Sequence, residues 1–176
     1  MCKIGILLLD RDFEHDVYEL IKAFYPEGDI HSLYEKDEEE YDIFFTVKKE
    51  NDNFVIKYEM KDQKGVASAE VIRGADGDSS QETHEKLRDA HELRKANKDS
   101  LKYALYNVLV KLTGRTLPWG NLTGIRPAKL AMGMIESGMK NTEIAQEMRE
   151  RYLVSAKKTA LAITIANRER ALLQDI

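Results

Sequence analysis

Cysteine is almost absent, since the 176 residues contain only Cys2. One thiol excludes an internal disulfide framework and a metal site built from several thiolates of this chain, and it favours a reducing setting. No apolar run approaches the roughly 20 residues that span a bilayer. The apolar start, Lys3–Leu9, lacks the basic leading region and the small-residue cleavage site of a secretion signal. We therefore expect a cytoplasmic globular protein with no membrane partner.

Motifs of common catalytic sites are also missing. The sequence has no Gly-x-Ser-x-Gly elbow, no Gly-x-x-x-x-Gly-Lys-Ser/Thr loop and no Gly-x-Gly-x-x-Gly after its first strand. Asp10 and Asp12 follow that strand and could pair for acid–base chemistry. Capping of the next helix explains them better, because aspartate is favoured at that position.

The histidines do not form a recognisable metal motif. His84 and His91 lie two turns apart on one predicted helix, whereas zinc sites favour pairs four residues apart and a further ligand. A charged, solvated helix accounts for both residues, so we predict no metal site. His15 and His31 have no partner in the sequence and are expected at the surface.

Charge divides the chain into two parts. Residues 1–113 carry 17 basic and 25 acidic side chains, a net charge of −8, whereas residues 114–176 carry 10 basic and 6 acidic ones, a net charge of +4. The two parts are therefore expected to have different surfaces. The basic excess of the second part is too small for a committed nucleic-acid domain.

Hydrophobic periodicity predicts an α+β fold. Lys3–Leu9 is a nearly continuous apolar strand, and Asp12–Phe24 has its apolar residues at helical spacing. Three further predicted strands, joined by polar turns, are Tyr41–Lys49, Asn53–Lys61 and Gly65–Arg73. This order, β-α-β-β-β with an antiparallel meander, defines a small unit over residues 1–75.

The rest of the chain is predicted to be an all-α helical bundle. Gly74–Ser80 has the composition of a linker, and Gln81–Leu112 is predicted to be a long helix with a break near Ala96–Asp99. This linker and helix cover residues 76–113, and the last predicted domain covers residues 114–176. Its predicted helices are Pro127–Ser137, Asn141–Tyr152 (capped by Asn141 or Thr142) and Ser155–Leu173.

The last two predicted helices allow an alternative function, a stand-alone helix-turn-helix-like module that binds nucleic acid. The polar residues that would line its second helix are Lys157, Lys158, Thr159, Asn167, Arg168 and Arg170. Two features oppose it: residues 149–154 lengthen the turn, and much of the second helix is apolar. Packing in a helical bundle explains that apolar character better, so we do not expect a nucleic-acid partner.

The segment Leu117–Leu130 has the most unusual composition, since it holds the sole Trp, two of the three Pro and two of the ten Gly. It could be a rigid connection in which Trp119 plugs the core. It could equally be a docking surface, because Arg126 and Lys129 lie near a helix start where free amides favour anions, and Trp119 could anchor a partner. The residues alone leave both interpretations open.

The run Leu-Pro-Trp-Gly-Asn-Leu-Thr-Gly-Ile-Arg-Pro-Ala-Lys-Leu at 117–130 resembles the amino-terminal region of a known enzyme family. These are the oxygen-independent, radical S-adenosylmethionine coproporphyrinogen III dehydrogenases (oxidases) of clostridial and bacillar type. The segment Glu143–Ser155 also resembles its counterpart there, and the resemblance is firm over about residues 111–176.

The resemblance implies a parent oxidoreductase of porphyrin and heme biosynthesis. Its catalytic barrel would use a 4Fe-4S cluster, held by Cys-x-x-x-Cys-x-x-Cys, and S-adenosylmethionine to decarboxylate two propionates of coproporphyrinogen III oxidatively to vinyl groups. That loop is absent here, so the resemblance implies an amino-terminal accessory fragment that is non-catalytic alone and carries no cofactor.

The resemblance also suggests a site. We predict that Trp119, Thr123, Gly124, Arg126 and Lys129 form a surface that packs on the protein's own carboxy-terminal catalytic barrel or flanks its opening. Anionic porphyrinogen would suit the two cations electrostatically.

Overall fold

The computed structural model describes residues 2–9, 11–51, 53–70 and 83–174, and within the last range the side chains of 88–173. The chain forms two compact units, Met1–Leu112 and Thr113–Ile176. The predicted linker at 74–80 and the side chain of His84 lie outside the described residues.

The first unit contains a five-stranded sheet. Its strands are β1 (Lys3–Leu8), β2 (Asp29–Leu33), β3 (Ile43–Glu50), β4 (Asn53–Met60) and β5 (Lys64–Glu70). Their order is β2-β1-β3-β4-β5, with β1 parallel to both neighbours and β3, β4 and β5 joined as antiparallel hairpins. The α+β class and the predicted meander are confirmed.

One face of this sheet is covered. Alternate residues of the central strands, such as Ile4, Phe45 and Ile56, are fully buried, as expected when helices pack on one side of a pleated sheet. The helices of this unit are α1 (Glu14–Phe24), which follows a short 3₁₀ turn at Arg11–Phe13, and α2 (Thr83–Thr113).

Contacts along its length hold α2 to α1 and to β5. The rings of Phe24 and Tyr106 meet edge to face at 5.3 Å, and the Lys98 ammonium lies 3.8 Å from the Asp16 carboxylate. The Ser100 hydroxyl donates to the Glu70 carbonyl at 2.8 Å. Before the predicted break at Ala96–Asp99, the Arg94 guanidinium donates to the Asp12 carbonyl at 3.1 Å. The prediction of a break is wrong, because tertiary contacts on both sides of it stabilise one continuous helix.

Two further expectations differ from the structure. β2 was not predicted, because five residues without clear alternation become a strand only through their pairing with β1. The N-cap of α1 is Phe13, without a side-chain hydrogen bond, so Asp12 is not the N-cap residue, and Asp10 lies outside the described residues.

The second unit is a three-helix bundle. Its helices are α3 (Pro127–Glu136), α4 (Asn141–Glu150) and α5 (Ala156–Gln174), and each contacts the other two. Buried residues of α5 are Thr159, Ala162 and Ala166, three small side chains at helical spacing that let neighbouring helices approach closely. The predicted all-α region and the proline at the start of α3 are confirmed.

The predicted cap of α4 is corrected. Lys140, rather than Asn141 or Thr142, is the N-cap residue, and the Glu143 carboxylate accepts its backbone N–H at 2.7 Å. This is half of a capping box, since a lysine ammonium cannot accept the reciprocal bond.

Candidate functional site

The first half of the unusual segment, Leu117–Leu122, is bonded to the turn between α4 and α5. The amide of Asn121 donates to the Tyr152 carbonyl at 3.0 Å, and the amide of Ser155 donates to the Pro118 carbonyl at 3.0 Å. The Asn121 side chain, 2% exposed, donates to the Arg151 carbonyl at 3.4 Å. These three bonds join two stretches that lie about thirty residues apart in the sequence.

Gly120 makes this contact possible. Its φ is +59°, and a Cβ built on it would lie 1.9 Å from the Tyr152 carbonyl oxygen and 2.5 Å from the Leu153 carbonyl carbon. Both the left-handed backbone and the missing side chain are required, because the obstructing atoms are backbone atoms that cannot rotate away.

Trp119 lies against the core of the bundle. It is partly buried beside a cluster that includes Leu122, Tyr152 and Val154. The Lys158 ammonium, at the start of α5, is 5.1 Å from its ring centroid, a cation–π distance. The ring therefore has an apolar side that packs and a side covered by a cation.

The second half, Thr123–Lys129, is open to solvent. Thr123 is half-buried, and Gly124, Arg126 and Lys129 are exposed. Between them Ile125 is 47% exposed. A Cβ on Gly124 would meet nothing within 4 Å, although its φ is +72°.

Arg126 and Lys129 are at the start of α3. The Arg126 carbonyl accepts the amides of Lys129 and Leu130 at 3.0 and 3.3 Å, so the helix begins directly after it. The first turn holds no acidic residue, and within the described residues neither cation has an ion-pair partner. Together with the positive end of the helix dipole, these cations favour a carboxylate-bearing ligand or protein surface.

The structure thus places the five predicted site residues in one stretch but in two environments. Trp119 packs against the core, whereas Gly124, Arg126 and Lys129 face solvent. Sequence reasoning missed the turn at Tyr152–Ser155 as the partner of Leu117–Leu122. The signal was available, because both runs belonged to the same family resemblance.

The histidines differ among themselves. His15 and His91 are exposed, as predicted. His31 has a partner after all: its Nε2 lies 3.0 Å from the Asp29 carboxylate. Interaction with the His31 imidazole lowers the pKa of the Asp29 carboxylate.

Tyr41 packs edge-on against His31, with ring centroids 5.9 Å apart. Its hydroxyl donates to Asp37 at 2.8 Å. Loss of hydration, with that hydrogen bond and the nearby carboxylates, raises the pKa of Tyr41 to about 12.

The described residues contain no group of three or more His, Cys, Asp or Glu side chains placed to hold a metal ion. A 4Fe-4S cluster needs several thiolates, and Cys2 is the sole cysteine. The residues of this chain therefore do not fit the cluster that the family resemblance implies for the parent enzyme. Within the same described part, no helix is long and apolar enough to cross a membrane.

The helix-turn-helix alternative meets two structural obstacles. Five residues separate α4 from α5, and the exposed positions of α5 include Leu161, Ile165 and Leu172, which are 43%, 37% and 69% exposed. A helix that reads DNA presents polar and cationic side chains to the groove. The exposed aliphatic side chains of α5 are unlike those of such a helix.

The chain is similar to the oxygen-independent coproporphyrinogen-III oxidase-like protein HemZ of Bacillus subtilis (strain 168), with 37% identity over 79 residues. This similarity covers 45% of the chain but only 16% of HemZ, about a sixth of the relative's length. No protein-family model and no solved structure matches the chain. The similarity supports the family resemblance over that part of the chain.

Proposed function

We propose that the chain is an amino-terminal accessory domain of a radical S-adenosylmethionine coproporphyrinogen III dehydrogenase. The similarity to HemZ supports this assignment, as does the long signature at 117–130. In the parent enzyme the 4Fe-4S cluster and S-adenosylmethionine would supply radical chemistry that converts propionates to vinyl groups. The accessory domain would supply binding and orientation only.

The observation that carries this proposal is the exposed half of the signature. Arg126 and Lys129 are held at a helix start without carboxylate partners among the described residues, although an unusual sequence surrounds them. Cations at such a position can attract the carboxylates of a porphyrinogen or of the catalytic domain itself. We assign Thr123–Lys129 to the contact with the catalytic barrel or with its opening.

The reading frame provides the first test. A Cys-x-x-x-Cys-x-x-Cys loop encoded shortly after Ile176 is expected. A stop codon at that point would remove the enzyme assignment.

The second test replaces the exposed cations in the parent enzyme. Arg126→Ala and Lys129→Ala are each expected to weaken either porphyrinogen binding or association with the separately expressed catalytic domain by roughly 10-fold, the value of one charge-assisted contact. Arg149→Ala is the matched control, because Arg149 is an exposed arginine on α4. Unchanged affinity in both assays would exclude a role for these cations.

A further inference from the structure

β5 is an edge strand, and its outer edge pairs with no other strand among the described residues. Its inner residues, Gly65–Ala69, include no charged residue and no proline, and its register with β4 runs without a bulge. Val66, near the centre of the strand, is 67% exposed. Charges, prolines and bulges are the usual protection of an open edge, because unpaired backbone groups can bond to another strand. β5 is therefore open to strand addition.

The hairpin that leads into β5 shows which of its backbone groups point outward. Met60 and Gln63 exchange both backbone hydrogen bonds, at 2.7 and 3.4 Å. Hydrogen-bonded pairs alternate along an antiparallel ladder, so the residue after Gln63 and every second one beyond it direct their N–H and C=O groups away from β4. These outward residues are Lys64, Val66, Ser68 and Glu70. The Glu70 carbonyl also accepts the Ser100 hydroxyl at 2.8 Å, and a carbonyl oxygen has a second lone pair for another donor.

The outward residues carry opposite charges at the two ends of the strand, Lys64 first and Glu70 last. If a second copy pairs antiparallel and the pairing is centred on Ala67, each Lys64 lies opposite the partner's Glu70. Opposite charges directly across a ladder are stabilising, whereas parallel pairing would bring like charges together. A register shifted by two residues in either direction removes both ion pairs. The charges therefore select one orientation and one register.

Neighbouring charges do not oppose this arrangement. From Asn53 to Glu70, which covers both strands of the hairpin and its turn, the lysines are Lys57, Lys61 and Lys64, and the acidic residues are Glu59, Asp62 and Glu70. Their charges cancel, so the edge has no net charge. The Glu59 carboxylate lies 3.6 Å from the Lys64 ammonium, and both side chains are exposed, so this pair holds Lys64 only weakly.

We propose that β5 pairs antiparallel with β5 of a second copy about a two-fold axis at Ala67. The two five-stranded sheets then form one continuous sheet, and each contact occurs twice because of the symmetry. Backbone hydrogen bonds supply most of the affinity. The paired side chains are small, so the dimer is weak and reversible. This surface belongs to the first unit, and the inference does not depend on the proposed function.

Reversal of the two terminal charges tests the pairing. In sedimentation equilibrium, the unchanged chain should show a reversible monomer–dimer equilibrium. Lys64→Glu and Glu70→Lys should each weaken dimerisation at least about 10-fold, because like charges then face each other on both sides of the axis. The double variant Lys64→Glu, Glu70→Lys should restore the dimer, since opposite charges face each other again. Lys36→Glu is the matched control: it makes the same change in net charge at an exposed position outside β5 and should leave the dimer unchanged.

A disulfide tests the position of the axis. In a Cys2→Ala background, Ala67→Cys places two thiols opposite each other in a non-hydrogen-bonded pair. The Cα atoms of such a pair lie about 4.5 Å apart, within the range that a disulfide spans. Mild oxidation should therefore link this variant into dimers. Ala69→Cys is the matched control, because Ala69 is also half-buried on β5 but would lie opposite the partner's Gly65, so it should stay unlinked.

Three results would overturn the inference. A monomer at every concentration would remove the pairing, and protection of the Val66 and Ser68 amides from hydrogen exchange in that monomer would show that another segment of the same polypeptide covers the edge. A dimer that neither charge reversal weakens would use a different surface. Linkage of Ala69→Cys instead of Ala67→Cys would contradict the register.

Discussion

The two halves of the unusual segment obey different constraints, although they are contiguous. In Leu117–Leu122, Trp119 packs on the core, and Gly120 allows the backbone of Tyr152 to approach. In Thr123–Lys129 the distinctive side chains face solvent, and Arg126 has no carboxylate partner among the described residues. Unusual composition therefore accompanies packing in the first half and solvent exposure in the second, where a contact with another molecule or domain is our proposal.

The largest expected loss of stability comes from Gly120→Ala, and Gly124→Ala provides the comparison in the other half of the segment. Gly120→Ala should destabilise the helical unit by about 3 kcal/mol or more, because a left-handed alanine is strained and its Cβ collides with backbone atoms. Gly124→Ala, with the same sign of φ and open space around it, should cost only about 1 kcal/mol. Urea unfolding followed by Trp119 fluorescence measures both, since this sole Trp reports on the second unit alone. Equal losses would remove the distinction between the halves.

A smaller loss is expected for Trp119→Ala. The partly buried ring would leave a cavity beside Leu122 and Val154, and we expect a loss of about 2 kcal/mol. Unfolding is then followed by circular dichroism, because the fluorophore is gone. Lys158→Ala, which removes only the cation over the ring, should cost about 0.5 kcal/mol. A Trp119→Ala loss no larger than that would contradict packing of the ring on the core.

The smallest loss of stability is expected for substitutions in the exposed half, Thr123–Lys129. The double variant Arg126→Ala, Lys129→Ala should unfold within about 0.5 kcal/mol of the unchanged chain, since neither side chain packs or pairs within the described residues. The urea concentration at the unfolding midpoint is compared between the double variant and the unchanged chain. A loss above about 1 kcal/mol would mean that these cations support the fold, and the docking interpretation would lose its basis.

Much of the fold follows from local patterns. The hairpin turns after Glu50 and Met60, the helix from Pro127 and the positions of α4 and α5 agree with the predicted elements, because apolar periodicity and turn residues act over a few positions. β2 and the continuity of α2 were missed, because both depend on distant partners: Lys3–Leu7 for the strand, Asp16 and Glu70 for the helix.

For the candidate site, the sequence by itself identified the segment 117–130, its resemblance to a family and the residue types that suit an anion. It could not decide between a rigid connection and a docking surface, since Trp, Gly and Pro are equally suited to either. Tertiary structure decided that the first half packs and the second half is exposed. The physical reason is that burial depends on what lies opposite: the backbone of Tyr152 and Leu153 faces Gly120, whereas within the described residues nothing lies within 4 Å of a Cβ on Gly124.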